Sequence, residues 1–293
     1  MRYWLSLIVL LLAAFRGQAG TLVQFHIFIG ANFYAGDIEV ELYDQDKPIT
    51  VKNFLSYLNA GYYQNDFFHR CVPGLVLQGG GASTANPPGT NAFVEWSYVP
   101  AVFGPITNEF LSGTRRSNTY GTIAMARTTD LNSATSQFFF NLADNSGSLD
   151  NSTNYYCVFG QVLRGTNILN LFNTVPQDGI GIINMESFYG VSPDTAFVSQ
   201  LPVDYASNAA PRYEDLMYMK INTLSLQAAK LANNAMQLSW NSISGLTNNV
   251  EYTTNAADTW QVLTNIVGNG NAAVAVDTNK MAGPRFYRIH VLY

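Results

Sequence analysis

Polar and apolar positions alternate along residues 22–45, where Gln24, His26, Asp37, Glu39 and Glu41 each sit between apolar neighbours. A period of two sends successive side chains to opposite faces of an extended chain, so the segment predicts strands around a turn near Ala35-Gly36. The period then changes. Val51, Phe54, Leu55 and Leu58 share one helical face, Pro48 suits a first turn because its missing N–H needs no partner there, and Gly61 stops the run. Residues 82–105 are rich in turn formers, among them Asn86-Pro87-Pro88-Gly89 and Val99-Pro100. More strands are predicted at 121–126, 136–142 and 155–163, separated by Gly, Asn, Asp and Ser clusters. Ile168, Leu169, Leu171 and Phe172 predict a second short helix. Many strands, few helices and no β-α-β rhythm imply a mainly β chain built on a closed antiparallel sheet.

The pattern shortens after about residue 222. Leu238-Ser239-Trp240, Val250-Glu251-Tyr252, Trp260-Gln261-Val262-Leu263 and Arg285-Phe286-Tyr287-Arg288-Ile289 are brief alternating strands with Asn-rich turns between them. Residues 225–293 therefore predict a small β-sandwich, near the lower size limit for stability on its own. Tryptophan in such a sandwich is core or, if exposed, a platform for glycans.

Composition changes the picture at the start of the chain. Arg2, the apolar run Tyr3 to Phe15 and the small residues Gly17 and Ala19 describe a secretory signal peptide over residues 1–19, with an uncleaved anchor as the alternative. The expected product is exported, to a periplasm, a cell surface or the medium, and is a monomer with no membrane contact once the signal is removed. Arg2 and Arg16 leave with that segment and no acid does, which moves the formal charge from −5 to −7. An acidic chain without a basic cluster argues against a nucleic-acid partner. Three scattered histidines and two cysteines give no metal-ligand spacing, and no cofactor is expected. Cys71 and Cys157 each lie in an apolar strand-like run, which favours buried free thiols over a disulfide. Asn151-Ser152-Thr153 is a glycosylation sequon only in a eukaryotic secretory path.

One segment stands apart. Residues 67–81, Phe-Phe-His-Arg-Cys-Val-Pro-Gly-Leu-Val-Leu-Gln-Gly-Gly-Gly, set Arg70 and Gln78 in an apolar strand. An unpaired buried charge costs several kcal/mol, so Arg70 belongs either to a salt bridge or to a cleft where it has work to do.

Taken in order, these segments resemble the cyclophilin family of peptidyl-prolyl isomerases, its bacterial branch above all, over residues 22–222. The matching stretches are Asp37 to Tyr43, Pro48 to Leu55, Phe68-His69-Arg70 through Gln78-Gly79-Gly80, Asn108-Glu109-Phe110, Gly121 to Arg127, Ser133 to Phe139, and Val158-Phe159-Gly160. The resemblance implies an eight-stranded barrel capped by two helices, and an enzyme that accelerates Xaa–Pro bond rotation in flexible polypeptides. That rotation faces a barrier of ~18–20 kcal/mol, and a turnover of roughly 10–1000 per second requires lowering it by about 3–6 kcal/mol.

The resemblance assigns the catalytic role to Arg70, which is expected to hydrogen-bond the proline carbonyl and favour the twisted nitrogen, with Gln78 orienting it and the substrate. Leu75, Val76, Phe139, Leu149 and Tyr156 would seat the proline ring, and Ala126, Arg127 and Gln137 would line the groove for the residues before it. Without the family match, Phe139, Leu75, Val76 and Leu149 are core residues, Gln137 satisfies a buried backbone group, and His69 is structural rather than a general base. The chain departs from the family pattern in three places. Leu75 stands where many members carry phenylalanine, and Tyr156 where many carry histidine. Ser148 aligns near the tryptophan of cyclosporin-sensitive members, which implies weak cyclosporin binding. The competing class is a barrel that captures proline segments without turnover, with the sandwich as a surface-targeting module.

Overall fold

The computed structural model describes residues 21–30, 33–84, 95–175, 180–204, 209–224, 226–242, 247–254, 259–269, 272–279 and 285–292. The signal peptide expected at 1–19 and the turn expected at Asn86 to Gly89 lie outside the described residues. The first two strands, β1 (Leu22–Ile29) and β2 (Phe33–Leu42), form an antiparallel pair. Their turn precedes Ala35-Gly36, contrary to the sequence expectation, because those residues form a bulge within β2. The register slips between Ile27 and Phe28, and Gly36 takes φ +141° where a Cβ would lie 2.8 Å from the Ile168 side chain. Glycine punctuates a strand here, not its end.

Helix α1 (Pro48–Asn59) begins at its proline as expected. Its N-cap position, Lys47, offers no side-chain cap. The cap comes from far along the chain: the buried Glu109 carboxylate accepts Ile49 N at 3.1 Å, and Thr50 N and Thr50 Oγ1 each at 2.7 Å. Lys47, itself fully buried, donates to the carbonyls of Glu109 and Ser112.

The 67–81 run folds as two strands, β3 (Arg70–Val72) and β4 (Val76–Gly79), not one. Pro73-Gly74 turns the chain, closed by Leu75 N to Val72 O at 2.9 Å, and the hairpin register sets Arg70 opposite Gln78. A short pair follows, β5 (Ala82–Ser83) with β6 (Ser97–Tyr98). Next come β7 (Thr122–Met125), β8 (Phe138–Asn141), the one-turn α2 (Ser146–Leu149), β9 (Val158–Arg164) and α3 (Thr166–Asn173). A segment the sequence pattern did not anticipate then intervenes: β10 (Ile180–Ile183), α4 (Glu186–Tyr189), α5 (Pro193–Phe197) and β11 (Leu201–Asp204). Strand β12 (Tyr218–Leu224) completes the main sheet.

Among the described residues, eight strands form that sheet in the order β12-β1-β2-β9-β7-β8-β4-β3, with every neighbouring pair antiparallel. Its two edges meet. Phe68 N donates to Met217 O at 2.9 Å and Met219 N to Asp66 O at 3.1 Å, across the Phe67–Tyr218 bridge, which closes the barrel and leaves no open edge at that seam. Inside, Phe25, Phe54, Phe138, Phe140 and Phe159 pack ring to ring, with Phe25–Phe140 centroids at 5.1 Å and Phe54–Phe159 at 5.4 Å. Helices α1 and α3 contribute Phe54, Ile168, Leu169 and Phe172 to the same core. The β10–β11 hairpin buries Met185, Val198, Leu201 and Val203 with Leu216 against Phe67 and Tyr218, on the outside of the seam.

Beyond β12, strands β13 (Gln227–Lys230), β14 (Met236–Asn241), β15 (Thr247–Thr253), β16 (Gln261–Val267), β17 (Ala272–Asp277) and β18 (Phe286–Leu292) form two three-stranded sheets, β13-β14-β17 and β16-β15-β18. Leu238, Trp240 and Ala275 of the first meet Val250 of the second in a separate apolar cluster. Trp240 is core, its Nε1 donating to Asn248 Oδ1 at 3.1 Å, whereas Trp260 is half-buried under the Arg288 guanidinium. No helix among the described residues is long and apolar enough to cross a membrane.

Candidate functional site

Strand alternation builds the site. In Phe138-Phe139-Phe140 the outer two rings enter the barrel core, so the middle ring must point the other way. Phe139 there joins Val76, Ala124 and Val158, with Leu75, Ala126, Leu149 and Tyr156 packed around them. Its ring meets Tyr156 edge to face at 5.6 Å. The result is a groove of about 330 Å3 lined by Arg70, Leu75, Val76, Gln78, Ala126, Arg127, Phe139, Leu149 and Tyr156. These are the residues the sequence assigned to it, with one exception. Gln137 is not part of the lining; its Oε1 accepts Gln78 Nε2 at 2.8 Å.

That bond corrects a second expectation. Gln78 faces Arg70 across the hairpin, but its amide is engaged with Gln137. Arg70 instead donates from Nε to Gln200 Oε1 at 2.9 Å. Gln200 immediately precedes β11 and was missed, because nothing in Val198-Ser199-Gln200-Leu201 distinguishes it locally. Only the fold brings it beside β3, where Cys71 N donates to Gln200 O at 2.8 Å. The lining contains no carboxylate to neutralise Arg70, and burial holds its guanidinium below the usual arginine range. Of the two openings for this residue, salt bridge or cleft, it occupies the cleft.

Arg127 spreads over the Tyr156 ring at 4.5 Å and donates from Nη1 to Thr128 O at 2.7 Å. Behind this wall lies a buried amide network that the sequence presented only as turn punctuation. Asn118 Nδ2 donates to Asp150 Oδ1 at 2.8 Å and to Tyr156 O at 2.9 Å, while Asn141 Nδ2 donates to Asn118 Oδ1 at 3.1 Å. Asn145 Nδ2 completes it, donating to Asn141 Oδ1 at 2.8 Å and Leu75 O at 2.7 Å. Leu75 and Tyr156, both of the groove lining, are thus tied to one scaffold. Ser148 lies in α2 with its hydroxyl on Asn145 O and does not line the groove.

His69 is buried and stacks on Phe197, centroids 4.2 Å apart, outside the groove lining. Its neighbour Gly81 is a close-approach position, since a Cβ there would lie 2.8–2.9 Å from the His69, Gln137 and Phe197 side chains. Burial, and after it the Arg70 charge, pull the imidazole down to about 3, so it stays neutral where a general base would titrate. The unfolded chain binds this proton near pH 6.5 and the folded chain does not, so stability must fall as pH drops below 6.5. Relative to a His69→Phe variant, the wild type is expected to lose up to about 2 kcal/mol of unfolding free energy between pH 6.5 and 5. Urea titrations of both proteins at the two pH values check this; parallel losses would sink it.

Cys71 and Cys157 are buried free thiols, Cys71 pushed up to about 12 by burial. Among the described residues no three of His, Cys, Asp and Glu gather as a metal site would require.

Residues 26–187 match the model of the family described as cyclophilin type peptidyl-prolyl cis-trans isomerase/CLD. The chain is 38% identical over 175 residues to peptidyl-prolyl cis-trans isomerase A of Dickeya dadantii (strain 3937), covering 59% of this chain and 84% of that protein. It is 41% identical over 152 residues to peptidyl-prolyl cis-trans isomerase B of Escherichia coli (strain K12), covering 50% and 84%. Among solved structures, a Cryptosporidium parvum cyclophilin-type peptidyl-prolyl cis-trans isomerase aligns with a TM-score of 0.44 at 21% identity, over 70% of this chain and 98% of that one.

Proposed function

This chain belongs to the cyclophilin-type peptidyl-prolyl cis-trans isomerases, and from that membership we propose an arginine-assisted mechanism acting on exported polypeptides. The observation that carries the mechanism is the Arg70 guanidinium, standing without a carboxylate partner beside the apolar wall of Leu75, Val76, Phe139, Leu149 and Tyr156, while the second arginine of the groove, Arg127, lies over the Tyr156 ring. As the Xaa–Pro bond twists, the nitrogen loses conjugation and gains a lone pair. A donor held at that place binds the twisted amide more strongly than the planar one, which is preferential binding of the transition state. Arg70 offers its terminal NH2 groups to the proline carbonyl and nitrogen. Phe139, Leu75, Val76, Leu149 and Tyr156 seat the ring and keep water out. Ala126, Arg127 and Gln78 meet the residues before proline, with Gln137 holding the Gln78 amide.

A charge-assisted hydrogen bond contributes about 1.5–3 kcal/mol, so Arg70 supplies part of the 3–6 kcal/mol and the dry apolar seat the remainder. Export rests on the leader at 1–19. Residues 225–293 are proposed as an accessory domain, supported by their separate apolar cluster. The direct test is line-shape or exchange NMR on an Ala–Pro peptide with catalytic amounts of the purified protein. Accelerated cis–trans exchange is the expected result; tight peptide binding without acceleration would replace the enzyme by a capture module.

The position of Ser148 carries one pharmacological expectation. Cyclosporin should bind more weakly than about 1 μM, because no indole closes that side of the groove. Nanomolar inhibition in the same assay would overturn it.

A further inference from the structure

Arginine brings five donors on a planar fork, and its usefulness depends on which way that plane faces. In this chain the plane is set from outside the barrel strands that carry the groove. Gln200 Oε1 accepts Arg70 Nε at 2.9 Å, which leaves the two terminal NH2 groups to point away from that bond. The acceptor is firmly seated. Gln200 pairs by its backbone with the Arg70–Cys71 edge of β3, through Cys71 N to Gln200 O at 2.8 Å. On either side, Val198 and Leu201 are buried in the apolar cluster with Phe67 and Tyr218. The acceptor is also neutral. A glutamine orients the guanidinium without cancelling its charge, as a carboxylate in the same place would. Gln78, directly across the hairpin, is occupied with Gln137.

We infer that Gln200, delivered by the β10–β11 hairpin, is the positioning residue that aims the Arg70 guanidinium into the groove. The inference rests on the reading of Arg70 as the catalytic arginine. A positioning role predicts a loss in kcat with KM kept, because the substrate is seated by the apolar walls and only the twisted amide needs the aimed donor.

The experiment compares Gln200→Ala, Gln200→Glu and Arg70→Ala in the full-length protein by peptide exchange kinetics and by the Arg70 Nε–Hε resonance. Gln200→Ala is expected to lower kcat about tenfold, with KM within about twofold, and to broaden or lose the Hε signal through faster solvent exchange. Gln200→Glu keeps an acceptor and should keep that signal. In the Arg70→Ala background, Gln200→Ala should cost nothing further. Full activity of Gln200→Ala, or an equal loss with and without Arg70, would overturn the inference. If Arg70→Ala itself is fully active, the mechanism fails instead, whatever Gln200 does, so the two failures are separable.

Discussion

Replacing Arg70 by alanine is expected to reduce kcat/KM on an Xaa–Pro peptide by about 30- to 150-fold while leaving the fold intact. The magnitude follows from one charge-assisted hydrogen bond made to the twisted amide, about 2–3 kcal/mol, at 1.4 kcal/mol per tenfold. The stability side follows from the groove. Arg70 is half-buried, its partner is the neutral Gln200, and burial already disfavours its charge. Removing it takes away a desolvated cation without orphaning an acid, so thermal unfolding should shift by no more than about 2–3 °C. Arg70→Lys should recover little, since an ammonium keeps the charge but neither the planar fork nor the Nε donor that Gln200 receives. Exchange NMR for activity and a thermal melt for folding decide it. Activity unchanged in Arg70→Ala ends the arginine mechanism.

Glu109→Ala has the opposite signature, a large loss of stability with the groove chemistry untouched. Helix α1 has no local cap, and its first free N–H groups, at Ile49 and Thr50, are satisfied by a carboxylate from some sixty residues further on. Thr50 Oγ1 leans on the same carboxylate. Truncation leaves the two Thr50 donors buried without an acceptor, frees the more exposed Ile49 N–H and removes a negative charge from the positive end of the helix dipole. Together these effects cost about 3–5 kcal/mol, or roughly 10 °C in Tm. Glu109→Gln retains one acceptor oxygen and should lose about half as much. Well below the melting transition both variants should turn over normally, because α1 contributes nothing to the groove lining. A melt within about 2 °C of wild type would show that water replaces the cap.

The two predictions also mark what was legible in the chain. Alternation over 22–45 and the turn clusters around 121–126, 136–142 and 155–163 located most barrel strands, whereas Phe139, read without the family match, was a core residue like its neighbours. Arg70 was conspicuous because apolar runs exclude charge, and the groove residues followed from the family motifs around it. Where the reading failed, it failed on relations between distant segments. Gly36 lies at a bulge within β2 and not at its turn, and Ile168, on a helix far along the chain, leaves no room there for a Cβ. Pro73-Gly74 splits one apparent strand into a hairpin, which is why Arg70 and Gln78 face each other. Glu109 read as a family landmark, but its task as a remote cap depends on where α1 begins. Gln200 had no local signal, since a glutamine among ordinary strand residues gains meaning only when β11 lies beside β3.

The seam between Phe67 and Tyr218 has a kinetic consequence. Strand β1, the first of the barrel, takes as neighbours β2, close along the chain, and β12, whose Leu224 pairs with Leu22. Every shorter contact can form as the chain is made, yet the hydrophobic interior stays open on one side until β12 has arrived and docked on both β1 and the Asp66-Phe67-Phe68 segment that leads into β3. Such a topology has a high contact order, and its slowest step should be this last closure, in milliseconds to seconds and not microseconds. A proteolytic cut between Asp204 and Tyr218 in the nascent chain would therefore trap a partly paired, aggregation-prone sheet, while the same cut after folding would have to work against the closed seam.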